Sequence, residues 1–147
     1  MFIVNVEAAI YKGDKWLIIK RSELENHAAG ELSLVGGKVD KEGVKSDILE
    51  ETIRREVLEE VGVELCDELH YVHSTSFIAD DNVHVVDIVF LGEHKSGEAY
   101  PKSREEVGDV YWFTAEEILN NEDAAVYVKE SIRRAVDTRK LLKLGVK

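Results

Sequence analysis

The chain has 147 residues, of which 44% are hydrophobic and 33% charged, and its formal net charge is −11. This composition is typical of a globular protein, and the length suits a single domain over residues 1–147. The excess of acidic side chains excludes a surface that binds duplex nucleic acid, because counterion release requires clustered Lys and Arg. A carboxylate-rich protein can still bind a nucleotide through a divalent cation.

The cysteine content and the opening segment indicate the compartment. Cys66 is the only cysteine, so an intrachain disulfide is excluded and a reducing compartment is favoured. The apolar run at the N-terminus lacks a basic start and contains Glu7, unlike a signal peptide. No stretch of about 18 uncharged apolar residues could span a membrane. We therefore expect a cytoplasmic protein with no membrane partner.

Apolar runs separated by turn residues predict the strands. The first two flank a turn at 12–14 and form one hairpin, and a second hairpin turns at Asp80-Asp81-Asn82. In chain order, the predicted strands span 2–10, 15–21, 69–78, 83–91 and 107–113, with a short apolar run at 32–35. We expect a loop over 92–106. In the second hairpin, one face is expected to carry Tyr71, His73, Thr75 and Phe77.

Three segments predict helices. Residues 47–61 have helical periodicity, with Asp47 or Ser46 as the N-cap and Gly62 as the left-handed residue after the last turn. A capping-box pattern at 114–117 opens a short helix, and a longer one is expected from about Ala124 to Leu142. This order of strands and helices predicts an α/β fold, an α/β/α sandwich with a mixed β-sheet.

Glu56, Glu59 and Glu60 fall within an arc of roughly 100° on the helix at 47–61. Neighbouring carboxylates on a helix repel each other, at a cost of roughly a few tenths of a kcal/mol for each pair. A divalent cation would offset this repulsion, and hard cations such as Mg²⁺ prefer oxygen ligands. The alternative is a solvated acidic face, but glycines before and after the helix favour the metal site.

The segment around this helix resembles the Nudix box: Gly, five residues, Glu, seven residues, Arg-Glu, an aliphatic, any residue, Glu-Glu, any residue, Gly, aliphatic. The second half matches at every position, namely Arg55, Glu56, Val57, Glu59, Glu60, Gly62 and Val63. Asp47 stands where the family has Glu, and Lys41 stands where it has Gly. Gly36-Gly37-Lys38-Val39-Asp40 looks like the usual opening displaced by four residues, which indicates a lengthened loop before the helix.

The resemblance covers nearly the whole chain and implies a metal-dependent hydrolase of the Nudix type. Its reaction is attack of water on the diphosphate bridge of a nucleoside diphosphate linked to another group. The ions would be Mg²⁺ or Mn²⁺. The implied ligands are Glu56, Glu59 and Glu60, with the carbonyl of Gly37 as a further one.

The resemblance also implies the other roles. Arg55 would orient Asp47 or Glu59. The general base would be Glu56 or a glutamate of the later loop, where Glu106 is preferred over Glu105 and Glu98. Arg21 would reach a substrate phosphate, although an ordinary surface ion pair is an equal alternative.

The substrate class stays open at this level. A small free nucleotide is favoured because the chain is short. The alternatives are ADP-ribose or another nucleotide sugar, a dinucleoside polyphosphate, and a catalytically silent module that only binds nucleotides. The presence of all three box carboxylates disfavours the silent module. A homodimer is a further expectation from the family.

Overall fold

The computed structural model describes residues 1–26 and 28–145, and this part of the chain forms seven strands and three α-helices. The strands are β1 (Phe2–Lys12), β2 (Lys15–Arg21), β3 (Leu32–Ser33), β4 (Val35–Lys38), β5 (Glu64–Ile78), β6 (His84–Ser96) and β7 (Val107–Thr114). The helices are α1 (Ile48–Val61), α2 (Ala115–Leu119) and α3 (Val126–Lys143). A 3₁₀ turn at Asp80–Asn82 connects β5 to β6, where the hairpin turn is predicted.

Strand β1 organises the sheet. One edge pairs with β6 in parallel, and the other edge is divided between two antiparallel partners. Tyr11 and Lys12 pair with β2, whereas the segment 5–8 pairs with β4. The main path runs β3-β2-β1-β6-β5, and β7 pairs with β2. The sheet is therefore mixed, and the edge of β1 shared by β2 and β4 lies beside the cavity described below.

Helices cover both faces of the sheet. Alternate residues of β1 point to opposite faces, so Ala8 packs in a core with α1 and Ala9 packs in a core with α3. From α1 the buried residues are Ile53, Val57 and Val61, and from α3 they are Val128, Ile132 and Ala135. The predicted α/β/α sandwich is confirmed.

The structure confirms some of the predicted helix caps. Gly62 follows α1 with φ 72°, as predicted, and its N–H donates to the carbonyl of Leu58. At the other end, Asp47 occupies the N-cap position in a left-handed conformation, and its side chain makes no capping hydrogen bond. Thr114 and Glu117 form the predicted capping box of α2. Within the described residues, no helix combines the length and apolar character needed to cross a membrane.

Two local predictions are wrong. The loop predicted at 92–106 begins only after Ser96, because the polar end of β6 pairs with the first residues of β5, for example Leu65 with His94. The shared face of the second hairpin is interrupted by a register shift, since Tyr71 lies opposite Phe90 whereas His73 lies opposite Val89. Tyr71 therefore faces the α1 side, and His73 faces α3, where its Nε2 lies 3.0 Å from Ser131 Oγ.

Burial on α1 gives a direct test of its packing. Ile53 is fully buried, so Ile53→Ala is expected to lower the free energy of unfolding by about 2–5 kcal/mol through lost apolar contact and a residual cavity. Leu58 on the same helix is 42% exposed, so Leu58→Ala is the control and is expected to cost less than about 1 kcal/mol. Urea unfolding measures both. Equal losses for the two variants would contradict this orientation of α1.

Candidate metal centre and active site

The inner face of α1 carries two box carboxylates into a cavity. Glu60 is only 5% exposed, and the side chain of Glu56 is 15% exposed. One carboxylate oxygen from each of Glu56, Glu60 and Glu106 lies within 4.8 Å of the others. We refer to these three residues as the carboxylate group. Oxygen atoms at this spacing can share a hard divalent cation.

The loop before β7 is bound to the end of α1, which explains how Glu106 reaches this group. The backbone N–H of Lys102 donates to the carbonyl of Glu60 at 3.0 Å, and that of Tyr100 donates to Val61 at 3.1 Å. On the other side, the N–H of Ser22 donates to the carbonyl of Glu106 at 2.9 Å. The loop is thus fixed between α1 and the end of β2.

Glycine residues of β4 leave room for the carboxylate group. A Cβ added at Gly37 would lie 2.7 Å from both carboxylate oxygens of Glu56. A Cβ at Gly36 would lie 2.8 Å from the Cα of Glu7 and even nearer to the backbone of Val6. Any side chain at these positions would displace either Glu56 or β1. The glycine pair is therefore required by the close approach of α1 and β1 to this strand.

The electrostatics of the group fit a bound cation. Burial raises the pKa of Glu60 to about 10, assisted by its hydrogen bond to Glu56 and by the charges of Glu106 and Glu56. The pKa of Glu106 is raised by burial and then by the charge of Glu56. Burial and neighbouring like charges thus disfavour the charged forms of these carboxyls in the metal-free protein. A divalent cation supplies the compensating positive charge, so these residues fit a metal.

Arg55 holds the exposed side of the group. Its guanidinium lies 3.2 Å from Glu56, 3.5 Å from Glu59 and 3.5 Å from Asp40. Of the two expected partners, the structure thus pairs Arg55 with Glu59 and not with Asp47. Asp40 belongs to the exposed loop 39–47, which leads from the glycine strand to α1.

The structure brings together only some of the predicted site residues. Glu59 has a side chain that is 57% exposed and belongs with Arg55 rather than with the carboxylate group. Neither Glu98 nor Glu105 is part of that group within the described residues, so Glu106 is the loop candidate nearest to the box. Arg21 lines the same cavity and lies 3.7 Å from Glu25.

The cavity contains polar residues that the sequence reasoning did not select. It has a volume of about 350 Å³, and its lining combines the carboxylate group and Gly37 with Arg21, Lys38 and two residues of β1, Asn5 and Glu7. A signal was visible in the sequence, because Asn5 and Glu7 are the polar residues of an otherwise apolar strand run. Asp40 and Glu25 also line the cavity, but both come from loops without a recognisable pattern.

The raised pKa of Glu60 predicts a gain in stability when its charge is removed. At neutral pH the metal-free protein must keep a proton on Glu60, whereas the unfolded chain has a pKa near 4.5 and does not. Glu60→Gln is therefore expected to stabilise the metal-free protein by about 1–3 kcal/mol. The contribution of Glu60 is fully present below pH 4.5 and is lost as the pH rises toward about 10, so the variant should lack this slope.

Urea unfolding with a chelator, repeated across that pH range, measures both effects. Glu59→Gln is the matched control, because Glu59 is the exposed neighbour on the same helix and should give no comparable gain. A loss of stability in Glu60→Gln, or a pH slope equal to that of the wild type, would contradict the electrostatic description of the group.

Three solved structures have the same fold as this chain. A solved MutT protein from Methanosarcina mazei Go1 is 28% identical, with a TM-score of 0.78 over 95% of this chain and 96% of its own. A MutT NUDIX hydrolase from Burkholderia pseudomallei is 24% identical, with a TM-score of 0.76 over 91% and 98%. The NUDIX domain of Shewanella oneidensis NrtR, solved with ADP ribose, is 19% identical, with a TM-score of 0.75 over 95% and 89%.

No curated protein gives a significant match to the sequence. A family model described as NUDIX domain does, and it matches residues 1–135, which include α1, the glycine strand and the loop that carries Glu106. Together with the confirmed fold, this match covers most of the chain. The chain therefore belongs to the Nudix family and is a Nudix hydrolase.

Proposed function

We propose that this protein hydrolyses the diphosphate bridge of a nucleoside diphosphate linked to another group, with Mg²⁺ or Mn²⁺ bound by Glu56 and Glu60 of the carboxylate group. The observation that supports the proposal most strongly is the approach of Glu56, Glu60 and Glu106 to within 4.8 Å inside a cavity. Nudix hydrolases generally use divalent ions, and the oxygen atoms of carboxylates are the ligands that hard cations prefer.

Glu56 and Glu60 are the proposed ligands from α1. Glu59 and the carbonyl of Gly37 are further predicted ligands. Glu59 lies on the same helix, and Gly37 lies beside Glu56. When bound, the cation neutralises phosphate charge and lowers the pKa of water. Glu60 carries a proton in the metal-free protein and must lose it when a cation binds. The affinity for metal is therefore expected to fall as the pH falls.

The remaining residues bind, orient and accept a proton. Glu106 is the proposed general base, because its carboxylate is exposed at the edge of the group and its raised pKa makes it a better proton acceptor than a free glutamate. Glu56 is the alternative base. Arg55 is a positioning residue, which holds Glu56 and Glu59 by ion pairs. Arg21, on the cavity wall, is proposed to contact a substrate phosphate.

The substrate is proposed to be a small free nucleotide. A second candidate is ADP-ribose, because the NUDIX domain of Shewanella NrtR was solved with ADP ribose and has the same fold. A cavity of about 350 Å³ suits a nucleotide-sized molecule with part of it exposed to solvent. A silent binding module is disfavoured, because the carboxylate group is intact and lies inside the cavity.

A substrate panel tests the reaction. Nucleoside triphosphates, ADP-ribose, nucleotide sugars and dinucleoside polyphosphates are incubated with Mg²⁺ or Mn²⁺ in ¹⁸O-water. At least one is expected to release a nucleotide, and the label will mark the phosphorus that water attacks. Turnover should disappear with a chelator and return with either ion. If no substrate is turned over although the ion raises the melting temperature, the protein binds metal without catalysis. That result would contradict the hydrolase and favour a binding module.

Isosteric variants test the roles of the carboxylates. Glu106→Gln is expected to lower kcat by about 10²–10⁴-fold while metal affinity changes little, if Glu106 is the base rather than a ligand. Glu60→Gln should instead abolish the rise in melting temperature that Mn²⁺ gives the wild type. Glu105→Gln, one residue away and outside the group, is the control and should keep wild-type kcat. Comparable losses for Glu105→Gln and Glu106→Gln would overturn the assignment.

A further inference from the structure

Asn5 and Glu7 are the residues of β1 that line the cavity, and the proposed hydrolysis does not use them. They point to the same face of the sheet as Ala9, the face that α3 covers. Both are polar positions in a strand whose neighbouring residues Val6 and Ala8 are fully buried. Polar side chains at such positions need hydrogen-bond partners within the protein. The atoms that these internal bonds leave unused are the ones that can bind a ligand.

Asp87 of β6 provides the partner of both. Nδ2 of Asn5 donates to Oδ1 of Asp87 at 2.8 Å, and Glu7 shares a side-chain hydrogen bond with Asp87. Asp87 itself is 7% exposed and lies behind the cavity wall. Because a carboxylate has no proton to donate, this hydrogen bond requires a proton on the Glu7 carboxyl. Burial, followed by the bond to Asp87, raises the pKa of Glu7, which agrees with this protonation.

This arrangement leaves acceptor atoms for a ligand. The amide of Asn5 uses one of its two N–H groups on Asp87, which fixes the amide plane and leaves its Oδ1 as an acceptor and its second N–H as a donor. The carboxyl of Glu7 lines the cavity beside this amide. The β1 wall of the cavity therefore presents the amide oxygen of Asn5 and the carboxyl of Glu7, which suit a planar group that carries N–H donors.

We propose that Asn5 and Glu7 contact the base of the substrate and accept hydrogen bonds from its exocyclic amine, so that amino-bearing bases are preferred over bases without the amine. Asp87 is a positioning residue that fixes both side chains. The inference rests on the proposed function, because the phosphates must occupy the carboxylate group for the base to reach β1. It goes beyond that function by naming a chemical requirement of the base.

Equilibrium binding to the full chain with Mg²⁺ tests this preference. Titration calorimetry compares GDP with IDP, which lacks the 2-amine, and CDP with UDP, which has a carbonyl in place of the 4-amine. The amino-bearing member of each pair is expected to bind roughly tenfold or more tightly, because a base without the amine leaves an acceptor of the cavity wall unpaired. Equal affinities within both pairs would overturn the inference.

Variants at the wall separate base recognition from a structural role. Glu7→Ala is expected to bring each affinity ratio close to one, since it removes an acceptor of the wall. Glu7→Gln can still donate to Asp87 and keeps one carbonyl oxygen, so it is expected to retain the preference for the amine. Glu93→Gln, at an exposed position further along β6, is the control and should keep the ratios. A uniform loss of affinity with unchanged ratios would overturn the inference. So would weaker Mn²⁺ binding by Glu7→Gln, which would assign Glu7 to the metal centre.

Two provisions keep the test decisive. If Glu7→Ala does not fold, Asn5→Ala removes the other acceptor, and a ratio retained in that variant contradicts the proposal. Affinity and turnover are measured in separate experiments, so the two hypotheses fail separately. An amine preference without any hydrolysis in the substrate panel would remove only the proposed function, whereas hydrolysis without a preference would remove only the inference.

Discussion

The mutual repulsion of Glu56, Glu60 and Glu106 is the constraint on which the site depends. Three carboxyls lie within 4.8 Å at a place where burial raises the pKa of Glu60 to about 10. Such a group is unfavourable in itself, and the surrounding fold must hold it. The buried seam of α1, in which Ile53 and Val57 are fully covered, fixes the helix against the sheet and leaves its glutamates no freedom to separate. The energy stored in this arrangement becomes affinity when a divalent cation neutralises it.

The division of one strand edge explains why the cavity lies where it does. Because β1 pairs with β2 at one end and with β4 at the other, the sheet divides at this edge, and residues of all three strands line one cavity. The glycine pair of β4 lets α1 and β1 approach the strand without a side chain between them, so the cavity reaches the carboxylates. The loop before β7 completes the wall through its backbone bonds to Glu60 and Ser22. The metal centre and the polar wall of β1 are therefore two parts of a single cavity.

Local periodicity accounts for what the sequence predicted well. The spacing of Glu56 and Glu60 is one helical turn, so any helix over this segment brings them together, and the buried seam follows from the same period. The choice of Glu106 depended on its place immediately before a strand, a position that the structure keeps. Contacts set by distant pairing were not predictable. The extension of β6 to Ser96 and the register shift after Tyr71 both depend on which residues of β5 lie opposite, and no local pattern encodes that choice. Of the partners of Arg55, Glu59 was predicted but Asp40 was not, because Asp40 contacts Arg55 from an irregular loop.

The two ends of the cavity place different demands on a ligand. At the carboxylate group, oxygen ligands repel a bare phosphate and admit it only with a cation, while Arg21 and Lys38 on the wall add positive charge beside that position. At the β1 wall, the amide oxygen of Asn5 and the carboxyl of Glu7 are acceptors, so this end favours N–H groups over a further phosphate. A molecule that satisfies both ends needs anionic oxygens at one side and a donor-bearing planar edge at the other. A nucleotide has this polarity, and an inorganic polyphosphate, which the metal alone would accept, does not. On our proposal, the base preference of this Nudix hydrolase is set by a strand outside the box, where two polar residues interrupt an apolar run.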